Sequence, residues 1–385
     1  MMKRRTRAIA CVVCIICAIL ASSCAGLKKD AGQEKERTVS SMLQYDRSME
    51  LQYAEEFKAD YYKDGYVLIS ISDSSRFLVI PEGGKIPEDL SPDIVPLKMP
   101  VRNIYLVASA VMDMFVSIDA LDCVRFSGLK AEGWYLEEAK SAMEQGDILY
   151  AGRYSAPDYE GILAEQCGLA IENTMIYHTP EVKEQLEKFH IPVLVDHSSY
   201  ENNPLGRTEW VKLYGILTGR EEEAAAAFEA QEKAFEAVRE KEASGKTVAF
   251  FYLTANGEVN VRKASDYLPK MIEMAGGRYI FDQLGEKEDM ASSTVTMQME
   301  EFYAAAKDAD YVIYNSTIEG GLGSMEDFLA KSPLFEKFQA VQENRVFCTT
   351  KNLYQSSMEL GDIISDIHHM LAGETDGLTY LYQLK

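Results

Sequence analysis

Basic charge is scarce in this chain. Its 385 residues hold 39 Lys and Arg against 61 Asp and Glu, a formal charge of −22. Nucleic-acid binding needs a basic footprint, so that partner class is excluded. Long apolar runs are also missing. Ala8–Leu20 is unbroken and apolar, but a membrane-crossing helix needs about 20 such residues. Cysteine is sparse. Cys11, Cys14 and Cys17 lie in that apolar run, and beyond Cys24 only Cys123, Cys167 and Cys348 remain. Three scattered cysteines make no disulfide framework and lack zinc-ribbon spacing, so they read as small core residues. Histidine is equally thin: His178, His190, His197, His368 and His369. A bare zinc or manganese site needs three or four converging His or carboxylate ligands, and the expected binding loops of the second half hold no histidine. No Gly-rich phosphate loop and no nucleophile elbow is present, so neither an enzyme nor a resident cofactor or metal is expected.

What is present begins with a targeting segment. Residues 1–23 combine a basic start (Lys3, Arg4, Arg5, Arg7) with the apolar run, the pattern of a secretory signal. Leu20-Ala-Ser-Ser-Cys24 looks like a bacterial lipobox, in which the Cys24 thiol accepts lipid. Removing the signal takes away four positive charges and no acid, leaving −26. Residues 24–45 read as a flexible, polar tether. The expected location is the outer face of the cell membrane, held by lipid.

Residues 46–100 are β-rich, with turn signals at Lys63-Asp-Gly65 and Glu82-Gly-Gly84, and predict an antiparallel meander. From Val101 strands alternate with helices of about ten residues, the sign of βαβ units and a mostly parallel sheet. Residues 101–217 form one α/β lobe and 245–385 a second. Between them, 218–244 read as one long helix, with Thr218 as N-cap and Glu221 as its capping-box partner. Its buried stripe is Ala224, Phe228, Gln231, Phe235 and Val238. A helix from Gly219 to Ala243 would run about 37 Å at 1.5 Å per residue, enough to act as a strut between two lobes.

Several stretches in this order carry a resemblance: Pro157-Asp-Tyr-Glu160-Gly-Ile-Leu, Ile191-Pro-Val-Leu-Val195, Pro204-Leu-Gly-Arg-Thr-Glu-Trp210 with the following Thr218-Gly-Arg-Glu-Glu-Glu-Ala224, and Ala340-Val-Gln-Glu-Asn-Arg-Val-Phe347. Over roughly Val101–Gly373 the chain resembles the substrate-binding proteins of bacterial ABC importers for iron–siderophore, haem and cobalamin complexes. The resemblance implies two α/β lobes joined by one long helix, little movement on binding, no catalysis and a permease partner. It also implies one docking glutamate per lobe, at the matching positions Glu160 and Glu300, with Glu301 adjacent to the second. Cys167-Gly168 stands where the family usually has Pro-Asp, and residues 50–100 lie outside the match.

Ligands of open α/β sheets bind beyond the carboxyl ends of the strands. The loops expected there are rich in aromatic and cationic residues: Trp134, Tyr135, Tyr177 and His178 in the first lobe, Arg262, Lys263 and Tyr354 in the second. Arg and Lys answer the charge of anionic chelates, and aromatic rings stack on flat or apolar ligand arms. The expected cargo is a ferric siderophore, with haem or cobalamin as the alternative and a bare zinc or manganese ion as a further one. A monomer is expected.

Overall fold

The computed structural model describes residues 39–285 and 293–385. Cys24 and the signal therefore lie outside the described residues.

The first sheet runs in chain order: β1 (Tyr45–Ser48), β2 (Phe57–Tyr62), β3 (Val67–Ile71), β4 (Arg76–Ile80) and β5 (Ile94–Lys98). The β1–β4 pairings are antiparallel, but β5 returns parallel to β4 after the 81–93 crossover. The meander reading is thus corrected at its last strand. Alternation decides the two faces. Phe57, Ala59, Val67, Ile69, Phe77 and Val79 point into the core of the first lobe. On the other face Leu68, Leu78, Ile80 and Ile94 form a small cluster closed by Val39. Val39 and Ser40 are buried, so the tether does not extend to position 45: packed structure begins at least six residues earlier.

The first lobe follows with β6 (Ile104–Leu106), α1 (Ser109–Ser117), β7 (Val124–Ser127), α2 (Glu137–Gln145), β8 (Leu149–Tyr150), the ribbon β9 (Gly152–Arg153) and β10 (Ala156–Pro157), α3 (Tyr159–Ala164), β11 (Leu169–Asn173), α4 (Pro180–Lys188) and β12 (Val193–Asp196). Its sheet, ordered β12-β11-β6-β7-β8, is wholly parallel. Two short helices close the lobe, α5 (Pro204–Glu209) and α6 (Val211–Thr218).

The linking helix α7 is Glu221–Arg239, roughly 28 Å at 1.5 Å per residue, shorter at both ends than expected. Thr218 is not its N-cap. Gly219 at φ 72° ends α6 in the left-handed region, and the Thr218 hydroxyl donates back to the Tyr214 carbonyl (2.8 Å). The expected stripe is buried and divides between two cores. Ala224 and Phe228 pack in the first-lobe core, Phe235 and Val238 in the second.

The second lobe holds β13 (Thr247–Leu253), β14 (Val259–Arg262), α8 (Tyr267–Met274), β15 (Arg278–Tyr279), β16 (Thr294–Met297), α9 (Met299–Ala306), β17 (Tyr311–Tyr314), α10 (Ser316–Glu319), α11 (Met325–Lys331), α12 (Gln339–Gln342), β18 (Val346–Thr349), α13 (Leu360–Ala372) and β19 (Leu381–Gln383). Its strands are ordered β16-β14-β13-β17-β18-β19, with β15 also on β13. β15, β17 and β18 run with β13, while the outer strands β14, β16 and β19 pair antiparallel. Gln231, the polar break in the α7 stripe, joins α7 to α13. It donates to Asp362 (3.0 Å) and accepts from the Gly361 amide (3.0 Å). A Cβ on Gly361 would stand 2.3 Å from the Gln231 carbonyl oxygen, so the crossing requires glycine.

Two buried carboxylates hold the first sheet to this frame. Glu209 accepts the amides of Gln52 (3.0 Å), Tyr53 (2.8 Å) and Ala54 (2.9 Å) and the Lys212 ammonium (2.6 Å). Glu201 accepts the amides of Glu55 (3.0 Å) and Glu56 (3.0 Å) and the Trp210 indole (2.9 Å). A buried charge is tolerated only when its lone pairs are met, and here one loop supplies five amides. A Cβ at Gly206 would lie 2.9 Å from the Tyr53 carbonyl oxygen. We expect Glu209→Gln, which turns an acceptor into a donor facing N–H groups, to lower stability by about 1–3 kcal/mol. Urea unfolding checks this, with the exposed Glu222→Gln as the unaffected control; an unchanged midpoint for Glu209→Gln refutes the anchor.

Candidate ligand cleft between the lobes

In the first lobe the chain moves outward in both directions from β6. β7 and β8 lie on one side, β11 and β12 on the other. That change of direction opens a crevice at the strand ends. The loops there are 107–109, 128–135, 173–178 and 196–200. The second lobe faces them with residues that follow β17 and β18. Direct bonds join the two sides. The Gln355 side chain donates to the Gly133 carbonyl (2.8 Å) and accepts the Tyr135 amide (2.8 Å), the Met358 amide donates to Asp113 (2.7 Å), and the Thr208 hydroxyl donates to the Ser357 carbonyl (3.0 Å).

Large apolar side chains stand exposed on these loops. Tyr135, Met175, Tyr177 and Tyr200, with Ile318 on helix α10 of the second lobe, are between 37% and 52% exposed. Water-facing rings at the ends of parallel strands suit contact with a flat or apolar ligand.

The expected site residues divide. Tyr135 and Tyr177 are exposed, as is His178. The Tyr177 hydroxyl donates to Asp73 (2.9 Å) and lies 2.7 Å from His197 Nε2. In the second lobe Arg262, Tyr354 and Asn315 form one group. The Arg262 guanidinium sits 5.2 Å from the Tyr354 ring centre, donates to its hydroxyl and to Ser293 (3.0 Å), and lies 3.5 Å from Asp266. Asn315 also donates to the Tyr354 hydroxyl (2.6 Å). Two residues are placed differently from expectation. Trp134 is buried in the first-lobe core with its indole donating to Ser127 (3.1 Å), because its loop folds back as a 3-10 turn over Ala131–Gly133. Lys263 is buried too, its stem covered by Gly285, where a Cβ would meet Lys263 Cγ at 2.8 Å. Neither presents an open wall.

Other participants carried no signal in the sequence. Asp73 and Ser72 come from the β3–β4 turn of the first sheet, and Gln355 bridges the lobes. Among the described residues no three His, Cys, Asp or Glu side chains are grouped as a metal would need. Cys123 and Cys348 are buried and Cys167 half-buried.

Burial perturbs the acids around the cleft. Asp113 of α1 and Glu359, just before α13, face each other across the lobe junction. Burial and the Asp113 charge push Glu359 up to about 9, and burial also raises Asp113. Glu172, at the carboxyl end of β11, is fully buried, and neither carboxyl oxygen is hydrogen-bonded among the described residues. Burial alone pushes it up to about 8.

Glu160 is the second residue of α3 and Glu300 the second of α9, both exposed, one on each lobe. Asp158 caps the first of these helices through the Gly161 amide (3.2 Å).

Known proteins share this architecture. The family model described as periplasmic binding protein matches residues 125–353. The chain belongs to that family. Over 365 aligned residues it is 25% identical to an uncharacterized lipoprotein of Methanocaldococcus jannaschii, covering 88% of this chain and 84% of the relative. A periplasmic heme binding protein of Pseudomonas aeruginosa superposes with a TM-score of 0.56 at 16% identity, over 74% of this chain and 99% of that one. The triscatecholate siderophore binding protein of Bacillus subtilis, solved with ferri-bacillibactin, gives 0.55 at 14%, over 72% and 94%. The two-lobe fold is therefore that of the family. The solved chains are matched almost whole while more than a quarter of this chain is left over. No helix among the described residues is long and apolar enough to cross a membrane.

Glu172 generates a test. Its proton is held to about pH 8 in the folded chain, against an ordinary value of 4.5. The stability of the neutral form is whole below 4.5 and is lost as pH rises through 8, on the order of 1 kcal/mol per pH unit in that window. Asp113 and Glu359 act in the same direction, so the comparison is between variants. Glu172→Gln should flatten the decline of stability between pH 5 and 8; parallel curves for the two proteins refute the assignment.

Proposed function

We propose that this protein captures a metal chelate outside the cytoplasm and passes it to an ABC import permease. A ferric siderophore is the preferred cargo. The observation that carries this reading is the pairing of exposed rings at the first-lobe strand ends with the Arg262–Tyr354–Asn315 group opposite. The rings offer faces to ligand arms. The guanidinium, flanked by Asp266 at 3.5 Å, has N–H groups beyond those given to Tyr354 and Ser293 with which to meet an anionic oxygen. Haem or cobalamin is the alternative within the same class, since flat macrocycles also suit aromatic walls. A bare zinc or manganese ion is disfavoured by the dispersed donors. A lipid on Cys24 would hold the protein at the membrane as a monomer, in keeping with the relative named as a lipoprotein.

The test is thermal. The purified soluble protein is melted against ferric siderophores, haemin, cobalamins and free metal ions. A ligand at 100 times its Kd should add about 2.7 kcal/mol of stability. Stabilisation by free zinc or manganese alone would overturn the chelate reading.

The permease contact has its own test. Glu160 and Glu300 each sit at a helix start, where the dipole favours a carboxylate. Reversing both to Lys should abolish most uptake, because each Lys would meet a like charge, while ligand affinity stays unchanged. Losing one partner of an interface ion pair costs about 2–5 kcal/mol; the local dipole terms are only about 0.3–1 kcal/mol each. Normal uptake with a slightly lower melting temperature would mark both as capping residues only.

A further inference from the structure

The first sheet precedes the residues that the family model matches, yet it reaches the cleft. We infer that it forms part of the ligand site, with Asp73 as a positioning residue that fixes Tyr177 at the mouth of the cleft. This rests on the cleft being the ligand site.

Asp73 stands in the tight β3–β4 turn, where Ser74 takes φ 74°. Its two carboxyl oxygens have separate tasks. Oδ1 accepts the Ser75 amide (2.8 Å) and closes the turn, while Oδ2 accepts the Tyr177 hydroxyl (2.9 Å). The neighbouring Ser72 hydroxyl lies 2.9 Å from His197 Nδ1, and His197 Nε2 lies 2.7 Å from the same Tyr177 oxygen. One proton arrangement satisfies all of them. Ser72 donates to Nδ1, Nε2–H donates to the tyrosine oxygen, and the tyrosine O–H donates to Asp73. Glu56, from the loop before β2, flanks the imidazole at 3.9 Å from Nδ1.

The phenol end of Tyr177 is thus held by two groups, one of them from the first sheet, while 42% of the residue remains exposed. The His197 ring packs edge-on against Tyr177 (5.9 Å, 89°) and against Tyr200 (5.1 Å, 71°), which places both exposed rings beside one buried imidazole. A ring tied at its far end loses rotational freedom before a ligand arrives, so binding has less side-chain entropy to overcome. A direct contact role for Tyr177 alone would not need Asp73.

Binding of haemin, a ferric catecholate siderophore and cyanocobalamin to the soluble protein is measured by fluorescence quenching, with a melting curve for each variant. For a probe the wild type binds, Asp73→Ala should raise Kd about tenfold. Asp73→Asn should stay within a factor of about two or three, because the amide oxygen still accepts the hydroxyl. Tyr177→Phe, which removes only the hydroxyl, should match Asp73→Ala, and the double variant should be no weaker than either alone. Should Asp73→Ala not fold, Asp73→Asn and Tyr177→Phe decide: equal loss in both overturns the proposal, and loss in the second alone supports it. Wild-type Kd in both Asp73→Ala and Tyr177→Phe, or multiplied losses in the double variant, overturns the inference and leaves the cleft reading standing. A wild type that binds none of the probes removes both.

Discussion

The placement of every part depends on two glutamates being allowed to remain buried. Glu201 lies just before the short helix α5 and Glu209 is its last residue, and their oxygens are satisfied chiefly by backbone amides of residues 52–56. Without that loop, two carboxylates would face an apolar core, an arrangement that costs several kcal/mol per ion. With it, the first sheet becomes a wall of the first lobe. The same helix reaches further. Arg207 stacks on Tyr267 of the second lobe at 4.0 Å, and Thr208 bonds the Ser357 carbonyl. Three parts of the chain thus meet between Glu201 and Glu209. This also explains why Gly206 stands in the middle of them, since any side chain would collide with the Tyr53 carbonyl.

The linking helix adds a second constraint of the same kind. It is not a bare rod between lobes. The Tyr61 hydroxyl from β2 donates to Glu221 (2.7 Å), and the Tyr53 hydroxyl donates to Glu232 (3.2 Å). Gln231 then clamps it to α13 from the other lobe. A hinge would need these contacts to break together, each with a buried or half-buried polar group left unpaired. Polar bonds at its first residue and at its middle tie this helix to the first sheet and to α13.

Periodicity and order made the architecture readable. Strand–helix alternation exposed both lobes, and the stripe Ala224, Phe228, Gln231, Phe235, Val238 exposed the linker. Both follow from local patterns that burial enforces. The errors lie where long-range geometry decides. Thr218 has the right chemistry for an N-cap, but Gly219 takes the left-handed conformation first and hands Thr218 to the preceding helix. Trp134 and Lys263 have the right chemistry for a ligand wall, but a 3-10 turn and the approach of Gly285 cover them. Asp73 shows the reverse case. An acid in a β-turn is ordinary, and nothing in its neighbours says that Tyr177, a hundred residues on, will find it.

This division has a physical consequence for the cleft. Direct bonds from Gln355, Met358 and Thr208 join the lobes beside the linking helix. The side chains of the cleft differ in freedom. Tyr177 is tied at its hydroxyl, and Arg262 is held among Tyr354, Ser293 and Asp266. Tyr135, by contrast, is exposed and bonded among the described residues through its backbone amide, and Met175 is an exposed, flexible thioether. The cleft thus presents tethered polar groups on both lobes and looser apolar groups on the first. A side chain held before contact loses less conformational freedom on burial than a loose one, so the two kinds differ in what ordering them costs.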